Sequence, residues 1–572
     1  MDPVIMLHRN KQGEPERLWV RAPYALKDTV KAAGCGTARW SSRDKAWTMP
    51  PDPLIVKRLS EFIPGIVIDP SLNEYLQELM NRQEKLYKAS IITEPISPND
   101  KLWKFQRAGV RVMEAAGSII LGDEMGLGKT PTSCSAIDYI GAAKVIIVCP
   151  SQVKWAWVDH LKDWGNRENP FILESRNVSA DNAQVIYRNR EAQLTDLIES
   201  PEFVLIMGYE MMRKYSRLLS SADYDVLVFD EAHRIKNRKA LVTQAAMRIA
   251  KSSARTWLLT GTPARNKYDD LFTLLSIIDP IRFSSYWNFV NVYMETVSNL
   301  FGGTDIVGLR NTEEFNSMIS VYMLRRTKQE VLPDLPDKIY TDYKLFLNPE
   351  QEDIYKQMED SMIVAFRQEL EEGKSMESVV HAPNTVAQII RLRQICLNPA
   401  LIDGPDTSAK LDMLSDLVEE IIQENQRLVI FTCFKGFLNC IEEMLSNRGL
   451  KYGIISGDIS SKNRYKVQQA LTEGEIDIVA GTIQSMGEGM NLQAASTAVF
   501  CDIDWVPANN MQAEDRIHRG DIKTAPNIIR LYHPDTVESD IWATCRRKEA
   551  IVDRAIGSAE TIRRLILRRE GK

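Results

Sequence analysis

The stretch Ile119–Thr130, IILGDEMGLGKT, constrains this chain more than any other. A short apolar run passes at once into a glycine-rich loop and then Lys129-Thr130, the order of a strand, a phosphate-cradling loop and a helix. Gly126 and Gly128 let backbone N–H groups turn inward onto an anion, and the helix N-terminus adds its positive dipole. In such a loop Lys129 reaches the β- and γ-phosphates and the Thr130 hydroxyl holds Mg²⁺. The strict spacing G-x-x-x-x-G-K-[ST] asks for glycine at 123, where this chain has Asp123. The loop therefore needs partners elsewhere before it defines a site.

One partner is Val226–His233, VLVFDEAH. Four apolar residues followed by Asp230-Glu231 place two carboxylates at the carboxyl end of a buried strand, where open α/β sheets bind ligands. Asp230 can share Mg²⁺ with Thr130, and Glu231 can polarise an attacking water. Without the phosphate loop, the same pair would serve as a helix N-cap. Trp257–Pro263, WLLTGTP, ends the next strand in hydroxyls that could sense a terminal phosphate, or in a plain turn. Phe105-Gln106 precedes the first strand, and the two-sided amide of Gln106 suits an adenine edge.

The rest of the chain supports an α/β architecture. Short apolar runs at 119–121, 145–149, 203–207, 226–229 and 257–260 alternate with helical stretches, the rhythm of a parallel sheet covered on both faces. A second set lies at 428–432, 452–456, 477–480, 498–501 and 528–531. Strand signals fade across 281–400, where Glu350–Glu372 is amphipathic, and this reads as a helical insertion region. With 572 residues, several domains are needed. We expect a small N-terminal α+β module (1–80), a linker (81–100) containing SIITEPISPND, and a first lobe (101–280). The insertion (281–400), a second lobe (401–535) and a helical basic tail (536–572) complete the order.

No apolar run approaches the ~18 residues a membrane helix needs, so no membrane partner is expected. The eight cysteines are scattered with no Cys-x-x-Cys pair, which argues for a reducing interior and against zinc. Net charge is −6, so any nucleic-acid contact must come from a local basic groove. In the second lobe, Gly487–Leu492 and Gln512–Arg519 (QAEDRIHR) stand out. Arg516 and Arg519 are three apart, the spacing of one helix face. They could act as arginine fingers, or form a surface charge cluster with Glu514 and Asp515.

Taken together these motifs resemble the Swi/Snf-type ATPases of helicase superfamily two. The further blocks VCPSQVKWAW, MLRRTKQEVLPDLPDK, RLRQICLNP, IISGDIS and WVPANNMQAEDRIHR occur in family order from about residue 100 to 550. The resemblance implies two RecA-like parallel-sheet lobes with helical insertions, DNA-stimulated ATP hydrolysis and tracking along duplex DNA. By motif, Gln106 reads adenine. Asp123, Glu124, Gly126, Leu127, Gly128, Lys129, Thr130 and Gly489 surround ATP, and Thr130 and Asp230 hold Mg²⁺. Lys129, Asp230, Glu231, Arg516 and Arg519 carry the chemistry. Asp123 is the family's usual residue in the loop. Arg519 is followed by Gly520-Asp521 where the family continues Ile-Gly-Gln, a departure bearing on the segment beyond that arginine.

The N-terminal ARWSSRDKAWTMP, with Trp19, Trp40 and Trp47 beside Lys31, Arg39, Arg43 and Lys45, reads either as a tryptophan core or as a nucleic-acid surface. It resembles the HARP module of annealing helicases related to bacterial HepA, which implies recognition of DNA junctions. The expectation is thus a monomeric translocase on double-stranded or branched DNA, working with replication, repair or transcription proteins. Removal of proteins such as stalled RNA polymerase, or strand separation, is the alternative. No nucleosome-specific module is evident, which suggests a bacterial or phage enzyme on cytoplasmic DNA, or a nuclear one in a eukaryote. DNA contacts are expected at Ser151–Trp157, Arg265-Asn266, Lys435 and Thr482–Ser485.

Overall fold

The computed structural model describes the chain except residues 1, 12, 98–99, 175–182, 262–268, 299–303, 311, 373–382, 488–489, 521 and 549–572. It divides into two compact units: Met1–Glu124 with Gly128–Thr327, and Lys328–Lys572 with Met125–Leu127.

The first unit begins with strands β1 (Val4–Arg9), β2 (Pro15–Arg21), β3 (Arg39–Ser41), β4 (Ala46–Met49) and β5 (Val67–Ile68), in the order β3-β4-β2-β1-β5. The β3–β4 pair expected around the polar turn is present and antiparallel, with Trp40 opposite Trp47. Alternation along the strands turns Ile5, Leu7, Leu18 and Val20 inward. Helices α1 (Lys27–Ala33) and α2 (Pro53–Phe62) pack against each other and bury Val30, Ala33, Ile55 and Leu59.

This module is latched to later residues of the same unit through a buried polar network. Asp52 caps α2 by accepting the Leu54 N–H at 2.9 Å. Its other oxygen accepts the Tyr293 hydroxyl at 2.7 Å and lies 3.7 Å from the Arg282 guanidinium. Arg282 donates to the Tyr322 hydroxyl at 3.3 Å, and that hydroxyl donates to Asp279 at 2.9 Å. Burial, and then the charge of Asp52, push the Tyr293 pKa well up, so the phenol remains a donor.

Helix α3 (Pro70–Ser90) corrects the expected boundary at residue 80. Asp69 caps it and Pro70 occupies its first turn, so the helix runs without a break through the region read as the start of a linker. Helix α4 (Lys104–Ala116) follows.

The main sheet of this unit contains β6 (Ile119–Leu121), β7 (Lys144–Cys149), β8 (Phe171–Leu173), β9 (Gln184–Ile186), β10 (Phe203–Gly208), β11 (Tyr224–Asp230) and β12 (Ser253–Leu259). After the hairpin β13 (Met294–Ser298) and β14 (Thr304–Leu309), β15 (Met323–Leu324) returns to the sheet. The order is β15-β6-β12-β11-β7-β10-β8-β9, and every pair is parallel. All five expected strands are there. Their near-continuous apolar sequences reflect burial on both faces. Helices α5 (Lys129–Tyr139) and α6 (Lys154–Gly165) follow β6 and β7.

The second unit is a six-stranded parallel sheet: β16 (Ile339–Lys344), β17 (Leu428–Thr432), β18 (Tyr452–Ile455), β19 (Ile478–Thr482), β20 (Thr497–Phe500) and β21 (Asn527–Tyr532). Its order is β16-β21-β20-β17-β19-β18. Along β17, Leu428 and Ile430 enter one core with Leu414, Leu417 and Val418. Val429 and Phe431 enter another with Leu471, Leu492 and Ile528. The sheet is buried on both sides.

The expected helical region 281–400 is not one body. The chain changes unit between Thr327 and Lys328, and β13, β14, β15 and β16 all fall inside that span. Helices Pro349–Glu371 and Pro383–Leu397 account for the helical signal. The expected basic tail lies largely outside the described residues.

Candidate nucleotide-binding site

The phosphate loop leaves β6 and ends at Gly128, which precedes the first residue of α5 and has φ +72°. Gly126 also has positive φ, at +84°, so both expected glycines occupy the left-handed conformation that glycine accepts without strain. A Cβ on Gly128 would collide with the Gln106 side-chain amide. The adenine candidate and the loop are therefore in direct contact. Gln106 is held there because its Oε1 accepts the Trp103 N–H at 2.9 Å, closing the first turn of α4.

Lys129 Nζ donates to the backbone carbonyls of Asp123 at 2.8 Å and Glu124 at 3.3 Å, spanning the loop. Thr130 follows on the first turn of α5. The Asp123 side chain departs from the expected role. Its carboxylate is turned away into an ion pair with Arg326, so this residue serves the loop through its carbonyl.

Asp230 closes β11, and three neighbours fix it. Trp157 Nε1 donates to its Oδ2 at 2.9 Å, the Glu231 N–H donates to its Oδ1 at 2.9 Å, and the Tyr209 hydroxyl donates to its carbonyl at 2.6 Å. Burial and the adjacent Glu231 charge push its pKa up to about 7, while the Trp157 N–H and the Lys129 charge pull it down. The fold thus brings the lysine and the aspartate into one electrostatic neighbourhood. Glu231 has φ +52°, a left-handed position uncommon for a side-chain-bearing residue. Its Oε2 lies 3.2 Å from His233 Nδ1. Thr260 donates its N–H to the Leu121 carbonyl at 3.1 Å, bringing it to the end of β6.

The donor set fits Mg²⁺ and a triphosphate. The Thr130 hydroxyl and Asp230 carboxylate are hard oxygen ligands. The loop offers a lysine, two left-handed glycines and a helix start, which suits an anion.

In the second unit the arginines depart from the expected helix face. That helix ends at Glu514, and Arg516 and Arg519 lie beyond it. The physical reason is local: the Arg516 carbonyl accepts the Leu492 N–H at 3.0 Å and so leaves the helical ladder. The two guanidinium groups are brought together instead by the carbonyls of Gly487 and Met490. Arg516 donates to the Gly487 carbonyl at 2.6 Å and to the Met490 carbonyl at 3.3 Å, and Arg519 to the Met490 carbonyl at 2.7 Å.

Glu514 and Asp515 are themselves engaged by other cations. Glu514 is held by Lys338 at 3.0 Å and Arg530 at 2.9 Å, and Asp515 by Lys328 at 2.8 Å and Lys338 at 2.9 Å. Burial, and then the neighbouring Arg516 charge, lower the Arg519 pKa to about 9, which leaves a cation at neutral pH. Gly489, Thr262-Pro263, Arg265-Asn266 and Asp521 lie outside the described residues.

Of the other expected DNA contacts, Lys435 is exposed and paired with Asp458, and Thr482 donates to the Ser485 hydroxyl at 2.7 Å. Within Ser151–Trp157, Val153, Lys154, Trp155 and Trp157 are buried, and Lys154 pairs with Glu174 at 2.6 Å. Those four are structural. Sequence reasoning missed Trp157 and Tyr209 as supports of Asp230, and Arg326 as the partner of Asp123. The signal available was Asp123 itself, since an aspartate inside a buried loop calls for a cation.

The SNF2-related domain model matches residues 71–401 and the helicase conserved C-terminal domain model matches 409–521. The chain belongs to the SNF2-related family. Among curated relatives it is 28% identical over 477 residues to the SWI/SNF-related matrix-associated actin-dependent regulator of chromatin subfamily A-like protein 1 of Drosophila melanogaster. That match covers 81% of this chain and 57% of the relative. It is 26% identical to an uncharacterized ATP-dependent helicase of Mycoplasma genitalium, covering 80% of this chain and 42% of that protein. A solved SWI2/SNF2 ATPase core from Sulfolobus solfataricus, in complex with double-stranded DNA, matches 83% of this chain and 95% of its own length. The identity there is 23% and the TM-score 0.35. The chain thus spans about half the length of the curated relatives quoted.

Proposed function

We propose that this protein is a DNA-dependent ATPase that moves along double-stranded DNA and remodels or reanneals branched structures. The carrying observation is the assembled loop, with Lys129 and Thr130 on α5 and Asp230-Glu231 closing β11, in a chain of SNF2-related family. ATP with Mg²⁺ is the expected ligand. Gln106 would read the base, Lys129 and Thr130 the phosphates, and Asp230 the metal. Glu231 would orient water, and Arg516 and Arg519 would neutralise charge developing on the γ-phosphate.

The branched-DNA part of the reading draws on the N-terminal module. Trp40 is 52% exposed and meets Trp47 edge-on at 5.5 Å, with the Lys31 ammonium 5.5 Å from the Trp47 ring. Tyr24 is 80% exposed with the Lys27 ammonium 4.5 Å from its ring. Arg39 and Arg43, on either side of Trp40 in the sequence, are exposed. Exposed rings interleaved with cations are the composition of a stacking surface for unpaired bases.

The test compares ATP turnover with single-stranded, duplex and forked DNA, for the native chain and for Trp40→Ala combined with Arg43→Ala. Duplex should stimulate more than single strands, fork more than duplex, and the variant should lose the fork increment. Salt should weaken stimulation, because phosphate contacts release counterions. Equal stimulation by all three DNAs would refute the branched-DNA reading. Release of a labelled strand would indicate strand separation instead.

A further inference from the structure

Asp123 is 1% exposed. A carboxylate at that depth needs a partner to remain charged. The partner comes from two hundred residues downstream. Arg326 Nε donates to Asp123 Oδ1 at 3.0 Å, and one terminal nitrogen of the same guanidinium bonds Oδ2. The other terminal nitrogen donates to the Phe105 carbonyl, and the guanidinium lies 5.2 Å from the Phe105 ring centroid.

The surroundings are close-packed. A Cβ on Gly109 of α4 would come within 3.0 Å of Arg326 and 3.1 Å of the Thr132 methyl on α5. The backbone is tied as well. The N–H groups of Ile120, Gly122 and Glu124 donate to the carbonyls of Tyr322, Leu324 and Arg326 at 2.8, 2.7 and 2.9 Å. Parallel pairing therefore continues beyond β6 into the phosphate loop itself.

We infer that Arg326 is a positioning residue of the nucleotide site, holding the phosphate loop and the Gln106 turn in mutual register. The inference rests on the ATP reading above. One planar fork fixes both sides: Asp123, whose carbonyl accepts Lys129, and Phe105, whose next residue presents the amide lying against Gly128. Lysine carries the charge without the planar fork, and its single nitrogen cannot reproduce the paired contact with both Asp123 oxygens together with the Phe105 carbonyl. Arg326 also stands two residues before the chain passes into the second unit, so the segment leading there is bonded directly to the loop that takes the phosphates.

The experiment uses the full chain with Arg326→Lys, Asp123→Asn, their combination, and Gln106→Ala. Steady-state hydrolysis of ATP and GTP is measured in saturating DNA, with thermal melting of each variant. For Arg326→Lys the ATP KM should rise about tenfold with a smaller change in kcat, the pattern of lost ground-state positioning. The ratio of kcat/KM for ATP over GTP should fall toward one. Asp123→Asn keeps Arg326 and its bond to Phe105, and should raise KM while preserving more of the ATP preference. The double variant should be no worse than the more severe single, because the two residues act as one unit.

Unchanged KM and unchanged ATP preference in Arg326→Lys, with activity lost only in proportion to a lowered melting temperature, would overturn the inference. If Arg326→Lys does not fold, a normal KM in Asp123→Asn overturns it equally. Gln106→Ala separates the two levels. Should it leave the ATP preference intact, the adenine reading fails, and Arg326 is then judged on KM alone.

Discussion

A single indole tests how far the first site depends on one buried hydrogen bond. Trp157 is 1% exposed and its Nε1–H donates to Asp230 Oδ2 at 2.9 Å. Trp157→Phe keeps an aromatic ring and deletes the donor. A hydrogen bond to a charged acceptor contributes about 1.5–3 kcal/mol, and a buried acceptor left unpaired costs a similar amount. The missing part of the ring adds a packing loss of about 1–2 kcal/mol, by comparison with other buried truncations.

Only the hydrogen-bond part acts on the charge of Asp230. Burial already pushes that pKa up, to about 7, and the indole is the largest influence pulling it down. Its loss moves the carboxyl further toward the protonated acid, which binds Mg²⁺ poorly. At about 1.4 kcal/mol per tenfold, the half-saturating Mg²⁺ concentration for ATP turnover should rise about tenfold. The assay is steady-state hydrolysis against Mg²⁺ at fixed ATP, with denaturant unfolding run in parallel. Excess Mg²⁺ should recover most of kcat. An unchanged Mg²⁺ requirement in a destabilised variant would show that Trp157 only fills space, and would refute the reasoning.

Lys129→Ala should abolish turnover while DNA binding, measured by fluorescence anisotropy, is largely kept; full turnover would sink the site assignment. Glu231→Gln should bind ATP but hydrolyse it very slowly, so that filter binding finds retained nucleotide. Arg519→Ala should lower kcat and leave nucleotide affinity nearly unaltered, and a pure affinity loss would argue against a role in the transition state. Tyr293→Phe removes one donor to buried Asp52, and should destabilise the first unit by about 1–3 kcal/mol in denaturant unfolding. A change below measurement error would mean that the Leu54 N–H and the Arg282 guanidinium satisfy Asp52 without the phenol.

What could be read from the chain alone was whatever short-range physics controls. Strands β6, β7, β10, β11, β12 and the four inner strands of the second sheet, β17, β19, β20 and β21, are apolar runs because both faces of a parallel sheet are covered. The phosphate loop was legible because left-handed glycines, a lysine and a helix start must be consecutive. The position of Asp230-Glu231 at a strand end was legible because the apolar run stops there.

In the two large sheets, the strands that escaped notice lie at or near sheet edges or are very short. β16, Ile339–Lys344, is mostly solvent-facing and alternates little. β15 has two residues, and only its partner β6 defines it as a strand. The side-chain assignments that changed were decided at long range. Arg516 and Arg519 have helical spacing, yet the Leu492 N–H captures the Arg516 carbonyl and the helix ends first. Their acidic neighbours bind Lys328, Lys338 and Arg530 instead, residues far from them in the case of the two lysines. Asp123 meets Arg326, and Trp157 meets Asp230, across separations of 203 and 73 residues. Local sequence states which groups are present and which backbone shapes they permit. Which buried charge faces which cation depends on where the sheet brings distant segments together, and only the tertiary structure decides that.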